Sequence, residues 1–186
     1  MRTVIARIFD YSIDGVIATE DTPFFDFCRE LPDDPALEDR NQALYAGADL
    51  HVIGRVAYQG MARYFPAATD HPYADLMNAA RKIVFSRTLT SADWANSTVA
   101  SGNPDTELDA LRRSGDGTIV AHGGVGFWKS LIERDLIDEY RIAVFPYLAG
   151  TGTRLFGDIT QPPRLEFVSV TPFKNGTIEV TYRRTR

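Results

Sequence analysis

Residues 119–132 read Ile-Val-Ala-His-Gly-Gly-Val-Gly-Phe-Trp-Lys-Ser-Leu-Ile. The apolar run at Ile119–Ala121 predicts a short buried strand, and the glycines after it mark a turn. Large apolar side chains then recur at helical spacing, which predicts a helix that packs a wide stripe against a sheet: Phe127, Trp128, Leu131 and Ile132. A strand, a glycine turn and a helix in this order make up one unit of an α/β fold.

The same unit recurs toward the N-terminus. The apolar runs at Leu50–Ile53 and Ile83–Phe85 are each followed by glycine or serine and then by a helical or turn segment. Thr3–Asp10 is rich in β-branched and aromatic residues and predicts the first strand. Strands that alternate with helices in this way are typical of a largely parallel sheet.

Caps and apolar spacing predict three further helices. Thr22 before Pro23 has the form of an N-cap followed by proline at the first helical position. A second helix is expected around Leu37 and Leu44, and a third over Pro104–Arg113. These helices supply the layers that a parallel sheet needs on its faces.

The pattern changes near the C-terminus. Tyr140–Phe145 predicts a strand, and Leu165–Phe173 and Thr177–Tyr182 predict two more around Lys174-Asn175-Gly176. Because Asn-Gly favours the positive φ angles of a tight hairpin, we expect the sheet to end antiparallel. No repeat or linker interrupts residues 1–186, so the sequence predicts a single α/β domain.

Composition excludes several classes of protein. The net charge is −5 and Lys and Arg are scattered, so a nucleic-acid binder is not expected. No apolar stretch approaches the length of a membrane span, and Arg7 interrupts an N-terminal run that offers no small-residue cleavage site. We therefore expect a cytoplasmic protein. Cys28 is the only cysteine, which excludes an internal disulfide and a cysteine-rich zinc site.

Several catalytic chemistries also lack support. The chain has no Gly-x-Ser-x-Gly elbow and no Gly-Lys-Ser/Thr phosphate loop. The three histidines, His51, His71 and His122, stand in unrelated contexts, and no pair has metal-ligand spacing. We therefore expect neither a hydrolase triad nor a metal site.

Glycine and arginine follow three predicted strands. Gly123-Gly124-Val125-Gly126 lies between a strand and a helix, where backbone N–H groups can bind a pyrophosphate, although a plain structural turn is an alternative. Gly54-Arg55 and Ser86-Arg87-Thr88 follow two other strands. Ligands of open α/β sheets bind at the carboxyl ends of the strands, so one shared crevice is expected. The glycine-rich segment at residues 150–157 resembles a phosphate loop, but because no helix follows it a connecting loop is the favoured alternative.

These segments resemble the family that joins the dihydrofolate reductases to the reductase domain of riboflavin biosynthesis (the RibD C-terminal domain). The matching pieces cover nearly the whole chain: residues 12–18, 54–58, 82–88, Gly123-Gly124, and residues 136–156. The resemblance implies a dihydrofolate reductase-like three-layer α/β fold, with a mainly parallel twisted sheet, antiparallel C-terminal strands and flanking helices. It also implies NADPH as cofactor, a small-molecule substrate and a homodimer, for which the apolar strand at Asp138–Tyr147 is the expected contact.

The resemblance also implies roles for individual residues. The adenosine 2′-phosphate and neighbouring atoms are expected at Gly54, Arg55, Val56, Ala57, Ser86, Arg87 and Thr88. The pyrophosphate is expected at Gly123, Gly124, Val125, Gly126 and Phe127, with a cis peptide between the two leading glycines. Asp14, in the loop near the nicotinamide, is the candidate for proton delivery or substrate anchoring, and an Asx-type turn is its alternative role.

Two departures bear on the substrate. Ala57 and Gln59 replace the threonine and glutamate that the family often carries, and His122 stands where the riboflavin branch commonly has glutamate. The second difference weakens a ribosylated pyrimidine as substrate, so pterin, folate, pyrimidine and carbonyl acceptors stay open. Asp21 and Asp26 are alternative acids. A non-catalytic nucleotide- or pterin-binding protein of the same fold is the competing hypothesis.

Overall fold

Eight strands form one mixed sheet in the computed structural model, which describes residues 1–185. The strands are β1 Thr3–Ser12, β2 Leu50–Gly54, β3 Lys82–Phe85, β4 Ser97–Ala100, β5 Thr118–His122, β6 Glu139–Phe145, β7 Leu165–Pro172 and β8 Ile178–Arg184. Their order across the sheet is β4-β3-β2-β5-β1-β6-β8-β7. The first six are parallel, whereas β8 runs antiparallel to β6 and β7 antiparallel to β8. The dihydrofolate reductase-like sheet is confirmed.

Six α-helices flank the sheet in the described part of the chain. They are α1 Pro23–Glu30, α2 Pro35–Ala46, α3 Arg55–Tyr64, α4 Ala74–Ala79, α5 Pro104–Arg113 and α6 Val125–Glu133. Thr22 caps α1 as predicted, since its side chain accepts a hydrogen bond from the backbone N–H of Phe25. Asp34 and Asn103 cap α2 and α5 in the same way. Within residues 1–185, no helix has the length and apolar character to cross a membrane.

The helices pack on both faces of the sheet. On one face, α5 and α6 bury Leu108, Leu131 and Ile132 against strand residues such as Val4 and Ile119. On the other face, α1 to α4 pack Phe24, Leu44, Tyr58 and Met77 against the opposite side of the same strands. The alternation of side chains along each strand places these residues on opposite faces. The carboxyl ends of the parallel strands remain open at one edge.

The apolar surface lies on a different strand from the one expected. β6 runs between β1 and β8 in the interior of the sheet, and its Tyr140, Ala143 and Phe145 are buried in the core of the chain itself. The expectation that this strand offers an interface was therefore wrong. Large exposed apolar side chains lie instead on the β7–β8 hairpin: Leu165, Phe167, Val168, Val170 and Ile178. The homodimer stays a prediction, and this hairpin is the surface that it would cover.

Candidate functional site

Three strand ends meet at one edge of the sheet. β3, β2 and β5 are neighbouring parallel strands, so the residues that follow them come together: Gly54-Arg55, Ser86-Arg87 and Gly123-Gly124. They surround a cavity of about 600 Å³, which we call the basic cavity. Most of the predicted cofactor residues line it, namely Gly54, Arg55, Val56, Ser86, Arg87, Gly124, Val125, Gly126 and Phe127. The predicted single crevice is therefore present.

Three predicted residues stand outside the lining of this cavity. Ala57 lines a neighbouring cavity. The backbone N–H of Thr88 donates to Ser86 Oγ (3.1 Å) and so shapes the turn after β3. The Gly123 carbonyl accepts a hydrogen bond from the backbone N–H of Gly54 (2.9 Å), which joins the ends of β2 and β5. The Gly123–Gly124 peptide is cis, as the resemblance implied.

At Gly54 the end of β2 lies in close contact with the start of α6. A Cβ atom on Gly54 would lie 2.5 Å from the Cβ of Phe127 and 3.2 Å from the carbonyl oxygen of Gly123. Any side chain there would push α6 away from the end of β2. Glycine therefore permits the start of α6 to sit beside the start of α3.

Two helix starts open onto the basic cavity without side-chain caps. α3 begins after Gly54 and α6 after Gly124, and no side chain caps either helix. The caps of α1, α2 and α5 show that this chain can supply such a group elsewhere. Backbone N–H groups in the first turns of α3 and α6 are therefore open to an anion, which the positive end of the helix dipole also favours.

Three arginines give the basic cavity its positive charge. Arg55 and Arg87 line it as predicted, and Arg55 Nη1 donates to Gln59 Oε1 (3.1 Å) on the next turn of α3. Arg134 also lines it and pairs with Asp105 (3.4 Å). Sequence reasoning missed Arg134, although Gly126 and Ser130 on α6 and Arg134 directly after it have the spacing that aligns residues on one helix face.

A second cavity of about 1100 Å³ adjoins the first. We call it the aromatic cavity because Phe25, Tyr58, Trp94 and Trp128 line it. The two cavities share four lining residues: Thr19, Val56, Gly124 and Val125. An extended ligand in the basic cavity would therefore reach the aromatic cavity across this common wall.

Asp14 is held by hydrogen bonds away from both cavities. Its carboxylate accepts from Ser12 Oγ (2.7 Å) and from the backbone N–H groups of Ala149 (2.9 Å) and Gly150 (2.8 Å). These bonds, led by that from Ser12, lower the pKa of Asp14 to about 2. The geometry favours its turn-shaping role, and proton delivery by Asp14 stays a prediction. Asp21 and Asp26 are exposed.

Asp10 is a carboxyl group that sequence reasoning missed. It is half-buried near the end of β1, where the backbone takes a φ of 53° and the register with β6 shifts. Its carbonyl accepts a hydrogen bond from the backbone N–H of Ala18 (3.0 Å), a residue that lines the aromatic cavity. Burial raises the pKa of Asp10 to about 6, against the opposing effects of Cys28 and Arg7. The only signal in the sequence was a carboxylate that ends an apolar strand.

His51 and His122 meet, although the sequence places them in unrelated contexts. They lie on neighbouring strands, and His51 Nδ1 is 2.8 Å from His122 Nε2. The rings stack with centroids 5.1 Å apart, and Tyr45 packs against both. Burial is the main cause that lowers both pKa values, that of His51 to about 4. Within residues 1–185, no group of three or more His, Cys, Asp or Glu side chains could hold a metal ion.

Sequence comparison places the chain among known proteins. The family model of the RibD C-terminal domain matches residues 2–178. An uncharacterized protein of Bacillus subtilis (strain 168), YyaP, is 27% identical over 138 residues, which cover 72% of this chain and 73% of YyaP.

Solved structures share the fold. A protein from Shewanella sp. PV-4 assigned to riboflavin biosynthesis is 24% identical with a TM-score of 0.80, and the match covers 99% of each chain. Dihydrofolate reductase from Enterococcus faecalis, solved with NADP(H), is 18% identical with a TM-score of 0.64 and covers 99% of this chain and 97% of its own. The Thermotoga maritima deaminase/reductase of riboflavin synthesis is 16% identical with a TM-score of 0.66 and covers 99% of this chain and 57% of its own.

Proposed function

Since the chain belongs to the RibD C-terminal domain family, we propose that it is a reductase that uses NADPH to transfer a hydride to a small heterocyclic or carbonyl-type acceptor. The basic cavity carries this proposal, because it brings Arg55 and Arg87 beside the uncapped starts of α3 and α6. Its shared wall with the aromatic cavity offers an acceptor a place next to the reactive end of the cofactor.

The residues present fit the anionic parts of NADPH. The open N–H groups at the starts of α3 and α6 suit the pyrophosphate, and the guanidinium groups of Arg55 and Arg87 suit the 2′-phosphate. The enterococcal dihydrofolate reductase of the same fold was solved with NADP(H), which supports a dinucleotide as the ligand. When bound, NADPH supplies the hydride, and the protein supplies orientation and charge.

Arg55→Ala should weaken the binding of NADPH by roughly 10- to 100-fold, or about 1.4 to 2.8 kcal/mol, and leave that of NADH nearly unchanged. The reason is that NADH lacks the 2′-phosphate that the guanidinium group would neutralise. Titration of both nucleotides by calorimetry measures the difference. Arg113→Ala, on the exposed face of α5 and outside the lining of both cavities, is the control and should change neither affinity. Equal losses for the two nucleotides in Arg55→Ala would contradict the assignment.

Gly124→Ala should damage NADPH binding more than folding. Gly124 has a φ of −75°, and an added Cβ would come no closer to the surrounding protein than 3.7 Å, to Val56 Cβ, so the fold has room for it. The methyl group would lie on the wall that both cavities share, where the pyrophosphate approaches. We expect at least about tenfold weaker binding, equal to 1.4 kcal/mol, with a small change in Tm.

Gly157→Ala is the control for this experiment. It introduces the same methyl group outside both cavities, at ordinary contact distance from Arg154 Cβ (3.4 Å). A dinucleotide titration beside a thermal melt separates the two effects for each variant. Normal NADPH binding by Gly124→Ala would mean that the pyrophosphate lies elsewhere.

We propose Asp10 as the proton source for the reduction, acting through water, because its side chain lines neither cavity and only its backbone carbonyl contacts, through Ala18, the lining of the aromatic cavity. Reduction of a C=N or C=O bond consumes a proton, and a carboxyl group with a pKa of about 6 still holds one near neutral pH. Activity should therefore fall as the pH rises above about 6. Asp10→Asn should lower kcat/KM by roughly 100-fold and remove this pH dependence, with NADPH affinity unchanged.

Asp14→Asn tests whether Asp10 or Asp14 causes the pH dependence of the activity. It should keep the dependence on pH, because the pKa of Asp14, about 2, leaves that carboxylate ionised throughout the range. Loss of the pH dependence in Asp14→Asn, with its retention in Asp10→Asn, would assign the proton to Asp14 instead.

The competing function is a non-catalytic nucleotide- or pterin-binding protein. Ala57 favours it, because the hydroxyl group that the family often carries at this position is missing. NADPH oxidation in the presence of dihydrofolate, pyrimidine and dicarbonyl acceptors discriminates the two functions. Turnover of any acceptor supports the reductase, whereas tight NADPH binding without turnover of any of them supports the binding protein.

A further inference from the structure

The turn between β5 and α6 has no side chain of its own to fix it in place. Gly123 follows β5 and Gly124 precedes α6, and neither residue has a side chain that could pack or form a hydrogen bond. Glycine also has more backbone freedom than any other residue. A turn that presents its backbone to a ligand in one geometry must therefore be positioned by the residues around it.

On one face of the sheet this turn packs against Trp128. A Cβ atom on Gly123 would lie 2.9 Å from both Cη2 and Cζ3 of Trp128, so the ring is in direct contact with the glycine. Trp128 Nε1 donates a hydrogen bond to the carbonyl oxygen of Ala121 (3.3 Å), which fixes the ring against the end of β5. One aromatic side chain therefore supports the turn from this face.

On the other face the support comes from His122, the residue directly before the two glycines. Its ring is buried and lines neither cavity, and His122 Nε2 lies 2.8 Å from His51 Nδ1. The register pairs His51 with Val120 and His122 with Ile53, so the contact runs diagonally between β2 and β5. It ties the last residue of β5 to the strand beside it.

The two imidazoles form this contact as neutral rings. Burial is the main cause that lowers the pKa of both histidines, so each ring carries one N–H near neutral pH. One nitrogen then donates and the other accepts at the contact, and Tyr45 packs against both rings. Because a hydrogen bond is directional, it sets the orientation of the strand end as well as its distance from β2.

We infer that His122 is a positioning residue for the cofactor: its hydrogen bond with His51 fixes the end of β5 so that the Gly123-Gly124 turn presents its backbone to the pyrophosphate. The inference rests on the proposed function and gives a role to a side chain outside both cavities. Without this bond the end of β5 would shift against β2. The backbone N–H of Gly54, which donates to the Gly123 carbonyl (2.9 Å), would shift with it. The uncapped starts of α3 and α6 would then lose their alignment.

Two substitutions of His122 separate the hydrogen bond from the volume of the side chain. The amide of His122→Gln reaches the place of Nε2 and can bond to His51, whereas the side chain of His122→Met has a similar length and cannot. We expect His122→Met to raise the dissociation constant of NADPH by at least about 10-fold. His122→Gln should stay within about 3-fold of the unmodified protein. Calorimetric titration with NADPH measures both values.

His51→Leu makes the same test from the neighbouring strand, and it decides the outcome if His122→Met does not fold. It should weaken NADPH binding to a similar degree. The double variant His51→Leu/His122→Met should bind no more weakly than either single variant, because all three lose the same hydrogen bond.

Ile142→Val is the control for a general loss of stability. Ile142 is buried on β6 and lines neither cavity, so the smaller side chain should lower Tm and leave NADPH affinity unchanged. Unchanged NADPH affinity in His122→Met or His51→Leu, or equal losses in His122→Gln and His122→Met, overturns the inference. If the unmodified protein does not bind NADPH, the proposed function fails and this inference fails with it. NADPH binding that survives His122→Met defeats only this inference.

Discussion

Glu179→Ala should lower the free energy of unfolding by about 3 to 5 kcal/mol, because it leaves a buried guanidinium group without its carboxylate. Arg7 Nη1 lies 3.2 Å from Glu179 Oε2, and the two side chains are 1% and 3% exposed. Asn41 Oδ1 accepts two further hydrogen bonds from Arg7, at 2.9 and 2.6 Å. Arg40 pairs with the other carboxylate oxygen of Glu179. Loss of the carboxylate would leave the buried guanidinium group of Arg7 without the carboxylate that it pairs with.

Urea unfolding of the variant measures this effect. Glu166→Ala is the matched control, because Glu166 on β7 pairs with Arg183 at 3.9 Å and both side chains are about half exposed. Solvent screens such a pair, so we expect that variant to stay within about 0.5 kcal/mol of the unmodified protein. Similar effects of the two substitutions would show that the Arg7–Glu179 pair does not stabilise the sheet as its burial indicates.

Acidification from pH 6.5 to 4 should cost the folded state about 3 kcal/mol through His51 alone. Burial and the nearby Lys82 charge lower the pKa of this histidine to about 4 from its ordinary 6.5. Between these two pH values the histidine binds a proton in the unfolded chain but not in the folded chain. The free energy of unfolding therefore falls as the pH falls. Above pH 6.5 both states are neutral and the effect vanishes. His122 acts in the same direction, because burial and His51 also lower its pKa.

The difference between the unmodified protein and His51→Gln isolates this contribution. The subtraction is needed because Asp10, whose pKa is raised to about 6, gains stability over the same acid range. The stability lost between pH 6.5 and 4 should be about 3 kcal/mol smaller in His51→Gln. His71→Gln is the control, since His71 is only half-buried and should leave most of the slope in place. An unchanged slope in His51→Gln would mean that the pair is not buried as neutral imidazoles.

Local signals in the sequence determined much of the fold. Thr22-Pro23 set the start of α1, and Asn175-Gly176 set the C-terminal hairpin, where Gly176 takes a φ of 88°. Glycine and arginine at the ends of three apolar runs located most of the basic cavity. Each of these signals acts within a few residues, and the order of parallel strands then brings their ends to one edge. β4 was missed because Ser97–Ala100 has no continuous apolar run, and α4 was missed because six residues carry little helical periodicity.

Contacts between distant residues were decided only by the tertiary structure. The His51–His122 pair depends on β2 lying beside β5, and the Arg7–Glu179 pair depends on β8 returning antiparallel on the far side of β6. The pKa of Asp10 depends on how α1 covers the end of β1. The sequence alone determined which residues end each strand and which family the motifs resemble. Strand order and helix coverage set burial, pairing and charge at the site, because these depend on neighbours far away in the chain.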